Sequence, residues 1–486
     1  MFIGLDIGTS SVKAVLLDPD DTILGQAEEP LTVSRPHPNW SEQGPEQWWQ
    51  ATLKAVDRLA AAYGDAVAAV TGIGLSGQQH GAVLLDKAGA VLRPAMLWND
   101  GRSVAEAAAI EERLPTLRAV AGNLALPGFT APKLMWVKAH EPDVFARVAT
   151  VLLPKAYVRF RLCGTLVEEM SDASGTLWLD IAKRDWSDQL LEVTGMTRDQ
   201  MPKLVEGTEP SGDLKEDLRQ RWGMRRAPVV AGGAGDNAAA AVGLGAIDPG
   251  DAFLTLGTSG VLWATTDGYR PNPDSAVHAF CHCIPHTWHQ MGVMLSAASA
   301  FGWLSKLLGD KEENLLAAIG EVATGPSPAM FLPYLSGERT PHNDVAARGA
   351  FANLSHDTTR SDLVQAVLEG VAFATRDNLV ALEAAGSRIE QVALVGGGSR
   401  SRLWASIVAD VLGVPVFRVK GGEVGGALGA ARLGRIAATG VDVATACPRP
   451  ERAETFEPHE GRRARYDDAY AAWTRFYPAT RAMRVA

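Results

Sequence analysis

The chain has 486 residues, more than one hydrophobic core usually organises, and its length fits two large domains. An apolar fraction of 47% and 49 glycines fit a globular α/β protein, while a net charge of −10 without a long basic tract argues against a nucleic-acid partner. The uneven spacing of Cys163, Cys281, Cys283 and Cys447 argues against a disulfide framework, and no leader pattern or membrane-length apolar stretch stands out, so a cytoplasmic protein with no membrane partner is expected.

The first predicted element is a tight β-hairpin. Two apolar runs, Phe2 to Ile7 and Val12 to Leu17, flank the turn Gly8-Thr9-Ser10-Ser11. Gly8 has no Cβ to hold a ligand away, and Thr9 and Ser10 can donate to anionic oxygens. Asp6 ends the first strand beside that turn; a carboxylate next to phosphate donors makes chemical sense when a divalent cation lies between them. A proline-bearing loop, Arg35 to Gln43, leads to a helix over 45–62, whose Trp48-Trp49 pair suits core packing.

Val70 to Leu75 reads as a buried strand running into Ser76-Gly77-Gln78-Gln79-His80-Gly81. Gly72-x-Gly74-x-x-Gly77 spells the dinucleotide fingerprint, but its glycines begin inside the strand and no helix follows, so that use is rejected. His80 between glycines is either ligand-accessible or an ordinary loop histidine. In Trp98-Asn99-Asp100-Gly101-Arg102, Trp98 can cover a sugar face while Asp100 and Arg102 bind hydroxyls; the plain alternative is an Asp–Arg surface pair before a helix over 103–120. Lys133 to His140 predicts a helix, Asp185 to Ser187 starts a helical region, and 208–223 reads as connecting chain. Next, the strand Pro228 to Ala231 and a glycine turn deliver Asp236 and Asn237 to the start of a small-residue helix. Asp236 is either an N-cap or an exposed carboxylate in a cleft.

The opening pattern returns as Phe253 to Trp263, with Gly257-Thr258-Ser259 in register and Thr255 where Asp6 stood. Two phosphate-facing hairpins imply two related domains, 1–246 and 247–486, although two ordinary turns would spell the same letters. The His278 to His289 run looks metal-like, but its residues alternate along expected strands and complete no zinc spacing. A helix is expected over 293–308, an active-site loop at Ser336 to Pro341 and a long helix over Arg360 to Glu383. The strand Val392 to Val395 enters Gly396-Gly397-Gly398, which can admit a nucleotide or form a tight crossover. A second glycine cluster, Gly421-Gly422 through Gly425-Gly426, opens an Ala-rich helix; the charged, proline-bearing tail 448–467 precedes a terminal helix.

Together these segments resemble the FGGY family of carbohydrate kinases, and among its members the bacterial xylulokinase branch. The segments that carry the resemblance are Gly4 to Val15, Val33 to Trp49, Gly77 to Gly81, Trp98 to Arg102, Gly128 to His140, Gly233 to Ala238, Gly257 to Val261, Leu335 to His342 and Gly396 to Arg400, in family order over nearly the whole chain. The resemblance implies two duplicated actin-like ATPase (ribonuclease H-like) domains around an interdomain cleft, sugar mainly on the first and ATP mainly on the second. It implies ATP-dependent phosphorylation of D-xylulose at its 5-hydroxyl, a step of D-xylose catabolism, with Asp236 as catalytic base and Asp6 and Asp236 around Mg2+. Substrate contacts fall on Gln79, His80, Trp98, Asp100, Arg102 and Asn237, and nucleotide contacts on Thr9, Ser10, Lys13, Gly257, Thr258, Ser259, Gly397 and Gly398. Gln79 departs from the methionine that enteric members carry before the histidine. The resemblance permits a homodimer. A kinase of another ketose or polyol, an ATP-driven chaperone and a sugar sensor remain as alternatives.

Overall fold

The computed structural model describes residues 1–420 and 425–484; the expected glycine turn at Gly421-Gly422 lies outside them. Two α/β domains flank a cleft, each built on a seven-stranded sheet. In the first sheet the strand Phe2–Ile7 pairs antiparallel with Ser11–Leu17, which pairs antiparallel with Ile23–Pro30. On its other side Phe2–Ile7 runs parallel to Gly72–Gly77, followed by the parallel Val229–Ala231 and the antiparallel Pro210–Asp213. The second sheet repeats this order. Ala252–Leu256 pairs antiparallel with Gly260–Thr266 and then Trp288–Met294, and on its other side come the parallel Val392–Val395 and Val416–Val419 and the antiparallel Arg452–Phe456. The duplication expected from the repeated hairpin thus extends through six strands of each sheet.

Both hairpins form where apolar residues can be buried. Ile3, Leu5, Ile7, Val12, Ala14 and Leu16 join one core with Trp48 and Trp49 of the helix Pro45–Ala62. Phe253 stacks on Trp263 across the second hairpin, in the core shared between the halves.

Equivalent helices leave the two sheets and cross between the domains: Asp236–Gly243 and Gly425–Thr439. Their contact is made of small residues. A Cβ on Gly429 would stand 1.9 Å from the Ala239 carbonyl oxygen, and one on Gly243 2.2 Å from that of Gly425. The second helix also lies on the first domain's sheet, where a Cβ on Gly4 or Gly74 would fall 1.9 Å from Ala427 O or 1.7 Å from Ala430 O. Gly72 and Gly74, which spell a dinucleotide motif, therefore serve backbone-to-backbone packing.

Several predicted boundaries shift. Residues 208–223 hold the strand Pro210–Asp213 and the helix Glu216–Arg221, because pairing with Val229–Ala231 makes a strand of a sequence with weak strand propensity. Val293 and Met294 finish a strand, and the helix expected over 293–308 starts only at Ala298. Helix 103–120 splits into Val104–Arg113 and Leu117–Ala121, while Asp185–Trp186 is a short strand before the helix Asp188–Glu192. The charged tail contains the strand Arg452–Phe456, and the terminal helix is two, Glu460–Trp473 and Phe476–Ala482. Among the described residues, no helix is long and apolar enough to cross a membrane.

Candidate active site

Asp236 is the first residue of its helix, with Gly235 rather than Asp236 at the N-cap. The approach is held from below: Gly235 N donates to Glu169 Oε1 at 3.1 Å and to Ser171 Oγ at 3.0 Å. Asp236 Oδ1 accepts from Asn237 N (2.7 Å) and Asn237 Nδ2 (2.9 Å), while Oδ2 has no hydrogen bond among the described residues. Burial, and then the charge of Asp6, push the Asp236 carboxyl up to about 6. Burial also raises Asp6, against a 2.9 Å hydrogen bond from Ser76 Oγ.

A cavity of about 400 Å³ opens between the domains and is lined by Asp236, Asn237, Gln79, His80 and Trp98 from the first and Gly257, Thr258 and Ser259 from the second. Eight expected site residues therefore meet in one space. His80 has a left-handed backbone (φ 68°), a conformation uncommon for a side-chain-bearing residue, and its carbonyl accepts from Lys133 Nζ at 2.9 Å and Thr130 Oγ1 at 3.1 Å. Its Nδ1 lies 2.6 Å from the Gly175 carbonyl, so Nδ1 carries the proton and Nε2 is left as an acceptor. Burial drives its pKa down to about 3 and keeps the ring neutral. Trp98 is about half exposed at 47%, and its indole donates to Thr9 Oγ1 at 3.0 Å.

Other expected residues are placed differently. Asp100 and Arg102 are buried outside the cavity: Asp100 Oδ2 accepts from Ser41 N (2.7 Å) and Arg102 Nη2 (2.6 Å), and the guanidinium also meets Glu42 (2.8 Å) beneath the Trp40 ring. The pair expected to bind hydroxyls does not line this cavity and braces the loop that presents Trp98. Gln79 lines the cavity, but its Nε2 donates to Ser171 O at 2.9 Å and its side chain packs where a Cβ on Gly235 would stand. Thr9 Oγ1 donates to Gln78 Oε1 at 2.8 Å, so its hydroxyl proton is already engaged, whereas Ser10 sits at the exposed tip. Lys13 stands opposite Asp6 in the hairpin register and leans toward Glu28, 4.0 Å away. Gly397 and Gly398 begin a short turn beside a groove of about 850 Å³ lined by Gly396, Ser399, Arg400 and the Ile23 to Gln26 strand, and a Cβ on Gly397 would meet little.

The sequence reading missed the support beneath the site and much of the cavity wall. Lys155 Nζ lies among Glu168 (2.9 Å), Glu169 (3.3 Å) and Asp172 (3.4 Å), all buried. These three carboxylates are the one set of ligand type and spacing that could hold a metal ion among the described residues. The ammonium stands among them, and its pKa is raised despite burial because the three carboxylates favour its charge. Phe129, His278, Phe280 and Arg339 also line the cavity. His278 and Phe280 belong to the metal-like run, whose first part is the strand His278–Cys281 and whose end opens the strand Trp288–Met294, and Cys281 is buried on other contacts, its sulfur 3.4 Å from Ile181 O. That strand is tied to the first domain by Asn123 Nδ2 to Ala279 O and Cys281 N to Ser174 Oγ.

Known families share this arrangement in both halves. Residues 1–243 match the N-terminal domain, and residues 252–438 the C-terminal domain, of the FGGY family of carbohydrate kinases. The chain belongs to this FGGY family. Within it, the chain is 52% identical to the xylulose kinase of Escherichia coli (strain K12) over 441 residues, 90% of each chain, and 50% identical to that of Klebsiella pneumoniae over 438 residues, again 90% of each. Its fold matches the crystal structure of a xyloylose kinase from Brucella ovis with a TM-score of 0.98 at 53% identity, covering 99% of this chain and 100% of the other. The xylulose kinase from Rhodospirillum rubrum matches at TM-score 0.92 and 30% identity, covering 99% of both chains.

Proposed function

We propose that this protein transfers the γ-phosphoryl group of ATP to the 5-hydroxyl of D-xylulose. The observation that carries the reading is the shared cavity, lined both by Asp236, whose Oδ2 has no hydrogen bond among the described residues, and by the hydroxylated tip Gly257-Thr258-Ser259 of the other domain. The xylulose kinases named above, alike over nine-tenths of the chain, support the choice of substrate. On this reading residues 1–246 form the sugar side and 247–486 the nucleotide side of an actin-like, ribonuclease H-like kinase. The repeated strand order of the two sheets supports that descent.

Asp236 Oδ2 accepts the proton of the 5-hydroxyl as its oxygen bonds to the γ-phosphorus. The bond from phosphorus to the β,γ-bridging oxygen breaks, its electron pair stays on ADP, and the products are D-xylulose 5-phosphate and ADP. The second hairpin offers Thr258 and Ser259 to the triphosphate, the exposed tip at Ser10 offers the same from the first, and the groove beside Gly397 and Gly398 has room for adenosine. Asp6 and Asp236 suit Mg2+, because burial disfavours the ionised form of both, the charge of Asp6 adds to this at Asp236, and a divalent cation would favour the ionised forms. When bound, the metal supplies charge neutralisation at the phosphates. Lys13 adds positive potential at the Asp6 strand.

The test is ADP release from Mg-ATP with D-xylulose, L-ribulose, D-ribulose, glycerol or no sugar, with product mass measured in the same samples. Preferred turnover of D-xylulose to a monophosphate is expected. Preference for another sugar would keep the kinase and reject the substrate. Absence of any sugar phosphate, or normal turnover by Asp236→Ala, would overturn the mechanism.

A further inference from the structure

The expected loop at Ser336 to Pro341 contributes Arg339, the single lysine or arginine among the described residues that line the interdomain cavity. Its acidic neighbour does not neutralise it through an ion pair. Glu338 is buried the other way, its Oε1 accepting from Leu295 N at 3.0 Å and from Arg339 N at 2.7 Å. Among the described residues, the Arg339 guanidinium forms neither an ion pair nor a side-chain hydrogen bond, although burial works against its charge. A cation held this way in a cavity needs an acceptor from a ligand.

Its neighbours define which acceptor. Arg339 lines the cavity together with His80 and His278, and after burial its charge also disfavours protonation of both rings. His80 Nδ1 is tied to a carbonyl oxygen. His278 Nδ1 is tied at 2.9 Å to Asn123 Oδ1, whose amide nitrogen donates elsewhere. Both rings therefore present only an Nε2 acceptor, suited to hydroxyls. The Trp98 indole donates to Thr9, and the Asn237 amide donates to Asp236. With Thr258 and Ser259 offered to the triphosphate, Arg339 is left as the charged donor of the cavity for an oxygen that can only accept.

Resting on the reading that Asp236 receives the 5-hydroxyl, we propose that Arg339 binds the C2 carbonyl oxygen of the ketose and sets the preference of the cavity for a carbonyl or carboxylate there over a hydroxyl. It follows that the four-carbon aldonate D-threonate, which matches C2 to C5 of the ketose and puts its carboxylate where the C2 carbonyl stands, meets the guanidinium in a charge-assisted pair and binds this cavity as a competitive ligand. A five-carbon alditol, with a hydroxyl in place of the carbonyl, leaves the guanidinium poorly matched.

The experiment uses the full chain as wild type, Arg339→Gln and Arg339→Lys. Titration calorimetry measures binding of D-threonate and xylitol, steady-state assays measure KM for D-xylulose and ATP, and Tm checks folding. Wild type should bind the aldonate at least about tenfold more tightly than the alditol. Arg339→Gln should bring the two ligands within about threefold and raise KM for D-xylulose at least about tenfold, with KM for ATP unchanged. Arg339→Lys should retain part of the aldonate preference. Equal binding of the two ligands by wild type overturns the proposal without any variant, and so does an unchanged aldonate-to-alditol ratio in a folded Arg339→Gln. Binding needs no turnover, so Arg339-dependent aldonate binding in a protein that phosphorylates no ketose would refute the kinase reading and sustain the role of Arg339.

Discussion

Asp236 has one oxygen held by Asn237 and one left for chemistry, in surroundings that disfavour its charge. A general base must be deprotonated, and its pKa is raised to about 6 by burial and Asp6. Activity should therefore fall as pH drops through about 6, read as the acid limb of kcat/KM for D-xylulose. A cation between the two carboxylates moves that limb lower, because it favours the ionised form. Asp236→Asn should lose about 10²- to 10⁴-fold in kcat and show no such limb. The candidate carboxylates were legible because glycines crowd their approaches. The setting of Asp100 and Arg102 was not legible, since a polar pair before a helix spells the same whether it faces a ligand or closes on itself. Their burial and the Glu42 partner come from distant chain.

At the scale of elements, close contact between helices and sheet explains glycines that a motif reading leaves unused. Gly74→Ala would bring a Cβ to 1.7 Å from Ala430 O, with backbone rather than a flexible side chain in the way. It should cost more than about 3 kcal/mol in urea unfolding, or prevent accumulation of folded protein. Gly64→Ala, where a Cβ meets nothing within 4 Å, should be neutral or stabilising by up to about 1 kcal/mol. Equal effects of the two changes would contradict the packing account. The hairpins and the helices Pro45–Ala62 and Arg360–Ala384 were readable because their signals, alternation and helical spacing, are local. Strand Pro210–Asp213 was not readable, because its pairing partner makes it a strand.

Across the whole molecule, one side chain joins three segments. Arg432 of the crossing helix pairs with Asp21 of the first domain (Nη2 to Oδ2, 2.6 Å) and donates from Nη1 to the carbonyls of Val242 (2.9 Å) and Gly243 (3.1 Å). Truncating one partner of such a buried pair is far costlier than losing a surface bridge. Arg432→Met should lower stability by about 3–5 kcal/mol and lead scanning calorimetry to resolve separate unfolding of the two domains. A single, unshifted transition would show that Arg432 does not couple them.

The sequence by itself determined the duplicated hairpins, the two-part α/β organisation and the identity of Asp6 and Asp236 as the candidate carboxylates, since strand alternation and glycine turns act over a few residues. Only the tertiary structure decided that Asp236 meets the second hairpin and His80 in one cavity, that Asp100 and Arg102 stay out of its lining, and that the Arg339 guanidinium enters it with no ion pair among the described residues. Those outcomes depend on hydrogen bonds and packing between residues far apart in the chain, and the order of the letters does not carry distance.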